Sequence, residues 1–133
     1  MKILITGGAR RVGRMLVEHL ATQGHHIGIH CNQSLTQARQ LYSKIGGEEK
    51  GHIVFQADLG DLSQAQQLIG QCRRQWGTFD VLINCASTYY RRGMTNIGSE
   101  ELQEDFRINF MAPFLLMQSF YRECPGAQII NIL

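Results

Sequence analysis

Proline and paired cysteines are scarce in this chain, and each scarcity excludes something. Two prolines in 133 residues fit a chain that no linker or low-complexity segment interrupts. The four cysteines, Cys31, Cys72, Cys85 and Cys124, include no Cys-x-x-Cys pair. Neither a zinc ligand set nor a redox dithiol is expected from them, and reduced, mostly buried thiols are. No apolar run approaches the roughly 18 residues of a membrane span, and no signal-peptide pattern is present, so the chain reads as cytoplasmic with no membrane partner. Charge of one sign is short as well. Thirteen Lys and Arg against eleven Asp and Glu leave a net charge of +2, too little for a phosphate-tracking surface, and no nucleic-acid partner is expected.

What is present is an ordinary globular composition, 44% apolar and 18% charged, in a length that fits one domain. Ile3 to Ile5 lie in an apolar run too short for a helix, which suits a strand buried on both faces. From Val12 the period changes: Val12, Leu16 and Leu20, with Met15 beside them, share a helical stripe that Gly24 can cap. HIGIHC reads as a second strand, and Ser34 can cap a helix carrying Leu35, Ala38, Leu41, Tyr42 and Ile45. HIVFQA is a third strand. It precedes a helix with Ser63 as N-cap candidate and Ala65, Leu68, Ile69, Cys72 and Trp76 on its apolar face. DVLINCA is a fourth strand. After the irregular stretch STYYRRGMTNIG, a long helix begins near Ser99, with Glu100 and Glu101 well placed for its dipole. Its stripe runs through Leu102, Phe106, Phe110, Phe114 and Met117, and Pro113 is expected to kink it. QIINIL is a fifth apolar strand. Strand and helix alternating five times predict an α/β fold with a parallel sheet and right-handed crossovers.

The segment ILITGGARRVGRML joins the first strand to the first helix through a glycine-bearing turn. Free N–H groups and the positive end of a helix dipole meet there, which makes an anion site. Gly7 allows the sharp turn and a close backbone approach, and Gly13 lets the helix pack near the strand, as glycines do in dinucleotide-binding turns. An ordinary strand-to-helix turn is the alternative. About 20 residues further on, where NAD-binding proteins usually carry a carboxylate for the ribose hydroxyls, stand Asn32, Gln33 and Ser34. With no carboxylate to repel a ribose 2′-phosphate, Arg10 or Arg11 can bond to it, so NADP(H) is favoured over NAD(H) as cofactor. Solvated surface is the other reading of the two arginines.

TGGARRVG at 6–13 resembles the TGxxxGxG cofactor turn of the short-chain dehydrogenases/reductases, with Arg11 replacing the middle glycine as in the pteridine reductase-like branch. ADL at 57–59 resembles that family's adenine-holding segment, and NCAS at 84–87 its NNAG segment beside the nicotinamide. INFMAPF at 108–114 resembles the helix that contributes the catalytic asparagine, here Asn109. The resemblance spans the whole chain. It implies a Rossmann-type parallel sheet of about five strands in the order 3-2-1-4-5, with helices on both faces, stopping before the family's sixth and seventh strands. It also implies a cofactor site of Gly7, Arg10, Arg11, Val12, Gly13, Asn32, Gln33, Ser34, Asp58, Leu59, Asn84, Ala86 and Ser87, with Ser87 and Tyr89 towards the substrate. No metal is implied.

Several of these residues admit two readings. Asp58 can accept a hydrogen bond from the adenine amino group while the Leu59 backbone lines the site, or it can be a polar strand end. Asn109, polar among Phe106, Phe110 and Phe114, must be hydrogen-bonded if buried; helix stabilisation through a water is compatible with a catalytic role. Cys85 and Ser87 depart from NNAG. NCASTYY resembles the branch's NNASSF pattern, which puts Tyr89 where an aromatic ring sandwiches a flat pterin. A loop aromatic on the core is the alternative, and Gln33 stands where that branch often has arginine.

The family's hydride-transfer chemistry leans on a Tyr-x-x-x-Lys pair, the tyrosine acting as general acid. Tyr42, Tyr89, Tyr90 and Tyr121 are followed four positions later by Gly46, Gly93, Met94 and Pro125, so these residues supply no such proton donor. Residues 1–133 are therefore expected to be a single dinucleotide-binding domain, incomplete at its C-terminus. They are an N-terminal piece of a reductase, a truncated gene product, or a genuine short binding module. The implied activity is NADP(H)-dependent reduction of a small molecule, either pterin- or dihydrofolate-like or another carbonyl or imine. The alternatives are a non-catalytic dinucleotide-binding module for redox sensing or interaction, and a parallel-sheet protein for another nucleotide, such as a methyltransferase. The resemblance also implies a homo-oligomer, dimer or tetramer, joined through the long fourth helix and the one after it. QIINIL is expected to form an unprotected apolar edge, leaving residues 1–133 alone marginally soluble.

Overall fold

The computed structural model describes every residue except Tyr90, Arg92 and Leu133. The tyrosine at 90 and the last residue of QIINIL thus lie outside the described residues. Strands β1 (Lys2–Ile5), β2 (His26–Cys31), β3 (Ile53–Gln56), β4 (Val81–Asn84) and β5 (Gln128–Asn131) form a parallel sheet in the order β3-β2-β1-β4-β5. This is the expected 3-2-1-4-5 order. Between them run α1 (Arg11–Thr22), α2 (Leu35–Lys44), α3 (Leu62–Trp76), α4 (Ser99–Phe106) and α5 (Ala112–Glu123).

Strand alternation assigns each helix its face. Ile3 and Ile5 of β1 join Ile27, Ile29, Val81 and Ile83 in one buried cluster with Val17 of α1 and Ala38 and Leu41 of α2. Leu4, Leu82 and Phe55 point the other way, into a cluster with Leu68, Ile69 and Cys72 of α3 and Leu116 and Phe120 of α5. The inner strands are therefore apolar at consecutive positions because both of their faces are covered. All four cysteines are free, and Cys31, Cys72 and Cys124 are buried. Among the described residues no helix is long and apolar enough to cross a membrane.

Four local expectations need correction. Ser63 is not the cap of α3: Asp61 is, its Oδ1 accepting from the N–H groups of Ser63 at 2.9 Å and Gln64 at 3.3 Å. Ser34 does occupy the N-cap of α2, but its side chain bonds no helix N–H. On α1 the buried residues are Gly13 and Val17, while Val12 and Met15 of the expected stripe face outward.

The largest correction concerns the long helix. A π-helical turn, Arg107–Met111, separates α4 from α5 ahead of Pro113. Pro113 stands just after the π turn in a helix that runs on without a break in dihedrals, so the N–H it lacks falls where the bonding pattern already changes. The apolar stripe Leu102, Phe106, Phe110 and Phe114 is exposed, at 62% for Leu102 and 58% for Phe110. The buried face of α5 is instead Ala112, Leu116 and Phe120, because that face meets α3. Periodicity detects an amphipathic face but not what covers it.

Candidate functional site

The site grows from the turn after β1. Gly7 has φ +65°, and a Cβ there would lie 2.8 Å from the Ala86 Cα, so the turn and the segment after β4 are in backbone contact. A Cβ on Gly13 would strike the Gly7 carbonyl group. Between them, Arg11 is the single non-glycine residue with positive φ, at 48°, among the described residues. The backbone thus keeps the left-handed conformation that glycine adopts freely, at a cost of about 1 kcal/mol for arginine. Arg10 precedes α1 with no side-chain cap bond, and the first turn holds no acidic residue. The N–H groups at the head of α1 and the positive end of its dipole therefore face outward without a side-chain partner.

Two buried groups, Thr6 and His30, hold the surrounding segments to this turn. Thr6 Oγ1 accepts from the N–H groups of both Cys85 and Ala86 at 3.0 Å. His30 Nδ1 accepts from the Gly7 N–H at 3.2 Å, and its Nε2 donates to the Ala57 carbonyl at 3.1 Å. Burial pushes the His30 ring down to about 4, against the weaker pull of the Ala57 bond and the Asp58 charge, so it is neutral at pH 7. Asp58 itself turns one carboxylate oxygen to the Gly60 N–H at 2.8 Å.

Two adjoining cavities open at the carboxyl ends of the strands. One, of about 520 Å³, is lined by Gly7, Arg10, Arg11, Val12, Gly13, Asn32, Asp58, Leu59, Ala86 and Ser87, with His30, Cys85, Thr88 and Ile108. The other, of about 590 Å³, shares Gly7, Arg10, Asn32 and Asp58 and adds Gln33, Ser34, Glu100, Glu104 and Arg107. Every residue expected at the cofactor therefore lines one cavity or the other, Asn84 excepted. Asn84 is buried at the end of β4, donates from Nδ2 to Asn131 Oδ1 at 2.9 Å, and leaves its own Oδ1 without a partner. Tyr89 is 81% exposed and lines neither cavity.

Asn109 is exposed, and both ends of its amide are engaged. Its Oδ1 accepts from the Thr88 N–H at 2.8 Å, and its Nδ2 donates to the Thr88 carbonyl at 2.9 Å. The Thr88 hydroxyl donates to Asp105 at 2.8 Å. The π turn thereby grips the loop after β4, through residues whose pairing no local signal announces. Thr6, His30, Thr88, Asp105, Arg107 and Ile108 all escaped the sequence reading. Thr6, Thr88 and Ile108 carried a hint, since they lie in the motifs TGGARRVG, NCASTYY and INFMAPF.

A parallel α/β sheet whose first helix points an uncapped N-terminus into a cleft at the strand ends defines a nucleotide-binding α/β class. Within it, the chain belongs to the short chain dehydrogenase family, whose family model matches residues 1–133. It is 27% identical over 149 residues to pteridine reductase 1 of Leishmania tarentolae, covering 88% of this chain and 52% of that protein. A probable tetrahydroxynaphthalene reductase of Zymoseptoria tritici is 26% identical over 128 residues, which are 96% of this chain and 48% of that protein. The crystal structure of FolM alternative dihydrofolate reductase 1 from Brucella suis, in complex with NADP, superposes with a TM-score of 0.87 at 29% identity, covering 99% of this chain and 56% of that one. The chain spans about half the length of the curated relatives it matches.

Proposed function

We propose that residues 1–133 are the dinucleotide-binding domain of an NADP(H)-dependent short-chain reductase. The observation that carries this reading is the head of α1. An uncapped helix N-terminus, cradled where any Cβ on Gly7 or Gly13 would collide with backbone, suits an anion brought close to the backbone, as a dinucleotide's diphosphate is. Arg10 and Arg107 offer guanidinium donors to a ribose 2′-phosphate beside Asn32, Gln33 and Ser34 in the second cavity, whose lining also carries the carboxylates of Asp58, Glu100 and Glu104. Likeness to a structure in complex with NADP supports the same cofactor.

When bound, the cofactor supplies hydride to the substrate. The chain's own residues bind and orient: N–H groups at the head of α1 and Arg11 at the diphosphate, Asp58 and Leu59 at adenine, Ala86 and Ser87 beside the nicotinamide. Asn109, through Thr88, holds the loop that Ser87 begins. A flat heterocycle of the pterin or dihydrofolate kind is the proposed substrate, with Tyr89 exposed and available for stacking; likeness to pteridine reductase 1 and to FolM supports it. Another carbonyl or imine is the broader class. The exposed Leu102, Phe106, Phe110 and Phe114 stripe suits a homo-oligomer.

Fluorescence titration with NADPH and NADH tests the cofactor. NADPH is expected to bind at least about tenfold more tightly, and Arg10→Ala or Arg11→Ala to narrow that gap. Equal or preferential NADH affinity overturns the 2′-phosphate assignment, and no affinity for either overturns the dinucleotide reading.

A further inference from the structure

Both glycine N–H groups of the first turn are taken up by a single residue. Gly7 donates to the His30 ring at 3.2 Å, and Gly8 donates to the His30 carbonyl oxygen at 2.9 Å. The far side of the same ring reaches the carbonyl of Ala57, the residue before Asp58. An amide N–H only donates and a carbonyl only accepts, so the ring holds one proton, on Nε2, with Nδ1 bare. His30 is 2% exposed, and no other described side chain bonds to it.

We propose that His30 is the positioning residue of the cofactor site, its neutral ring locking the glycine turn after β1 to the adenine-facing segment after β3. This rests on the reading that a dinucleotide binds at the turn. Because Gly7 and Gly8 donate inward, the diphosphate is left to the N–H groups further along, at the head of α1. The ring therefore sets both where the anion sits and how far the adenine pocket stands from it. Placing a proton on Nδ1 would set two donors against each other and release Gly7. Of the titratable and charged groups near the ring, Asp58 at the end of β3 acts on it by its charge, and Arg10, Arg11 and Cys85 line the same cavity. Asp58 favours the charged ring; burial outweighs it and keeps the lock closed at neutral pH.

The test uses the full-length polypeptide that carries these residues, as wild type, His30→Asn and His30→Leu. Asparagine keeps an acceptor on a short side chain; leucine fills space without one. Calorimetric titration with NADP⁺ at neutral pH reads affinity, and amide hydrogen exchange of the free protein reads Gly7. His30→Asn is expected to bind within about threefold of wild type, and His30→Leu about tenfold or more weakly, with Gly7 exchange accelerated in the leucine variant alone. Wild-type affinity in a folded leucine variant whose Gly7 exchanges freely overturns the proposal. Where that variant does not fold, nitrogen NMR of the wild-type ring decides: Nε2 protonated and Nδ1 bare down to about pH 5 is expected. The opposite tautomer, or a charged ring at about pH 6, overturns the lock. A wild type that protects Gly7 yet binds neither NADP⁺ nor NAD⁺ overturns the dinucleotide reading itself, and the cofactor role of His30 with it.

Discussion

Strands β2 and β5 are spelled in similar residues and lie in different surroundings. HIGIHC in β2 runs between β1 and β3, and five of its six residues are buried. Among the described residues QIIN in β5 has β4 alone beside it, and all four of its residues are exposed. Both pair in parallel register with an inner strand, so backbone hydrogen bonding does not separate them. Helices do. Ile27, Ile29 and Cys31 pack with α1 and α2, whereas neither buried cluster takes in a residue of β5.

The contrast shows what the cleft hangs from. Its glycine turn follows β1 and His30 lies within β2, both buried strands, while Asp58 follows the edge strand β3, whose Phe55 joins the core, so that core also fixes the site. The loop after β4 belongs to both regions: Thr6 ties its start to the covered half, and Asn84 ties the end of β4 to Asn131 on the exposed edge.

The covered half breaks most sharply at Gly13→Ala. The new Cβ would meet the Gly7 carbonyl and the Gly8 Cα. Both are backbone and cannot rotate away. Loss of roughly 3 kcal/mol of stability, or of NADPH binding altogether, is expected from thermal melts and titration. A variant that binds normally and melts within about a degree of wild type would show that α1 has slack against the turn.

Gly13 was legible in sequence because its cause is local: strand, turn and helix start fall within 14 residues. The strand order is not local in this sense: crossover handedness gives parallel neighbours, while the placing of β4 beside β1 rather than beside β3 was implied by the family resemblance. Other parts depend on residues far apart in the chain. Thr88 meets Asp105 and Asn109 across 17 and 21 positions, and nothing in the spacing predicts those bonds. His30 looked like one polar letter in a strand; its role follows from Ala57 and Gly7, 27 and 23 positions away. The α4 to α5 stripe failed for a different reason. Two apolar faces competed for one sheet, and only contact with α3 decides between them.

Acid sharpens the comparison at an intermediate scale. His30 and His52 are both buried, and each has an Nδ1 that accepts a backbone N–H, from Gly7 and from Ile27, while Nε2 donates to a carbonyl. Burial depresses both rings below the ordinary 6.5. The unfolded chain then binds a proton near pH 6.5 that the folded chain refuses until lower pH, so stability is full above about 6.5 and falls as pH drops. For His30 the fall spans about 6.5 to about 4 and amounts to about 3 kcal/mol. Denaturant melts across this range should show it, with the slope reduced in His30→Asn. A stability unchanged between pH 6.5 and 4 would mean that the rings open to water before they charge.

The smallest effect on folding is expected on the uncovered side. Phe106 and Phe110 stack at 4.9 Å while both rings remain more than half exposed. A buried phenylalanine cut to a small residue costs about 3 to 5 kcal/mol. Here most of the ring is already in water, and what disappears is one stacked pair worth about 1 kcal/mol. Phe110→Ser should therefore change stability by about 1 kcal/mol or less in denaturant melts, while shifting the elution of the protein towards smaller species, because the exposed stripe is where copies would join. A loss of 3 kcal/mol or more in a monomeric sample would instead mean that this face is packed within its own chain. The division between a covered and an uncovered half would then fail at the helix on which it is drawn.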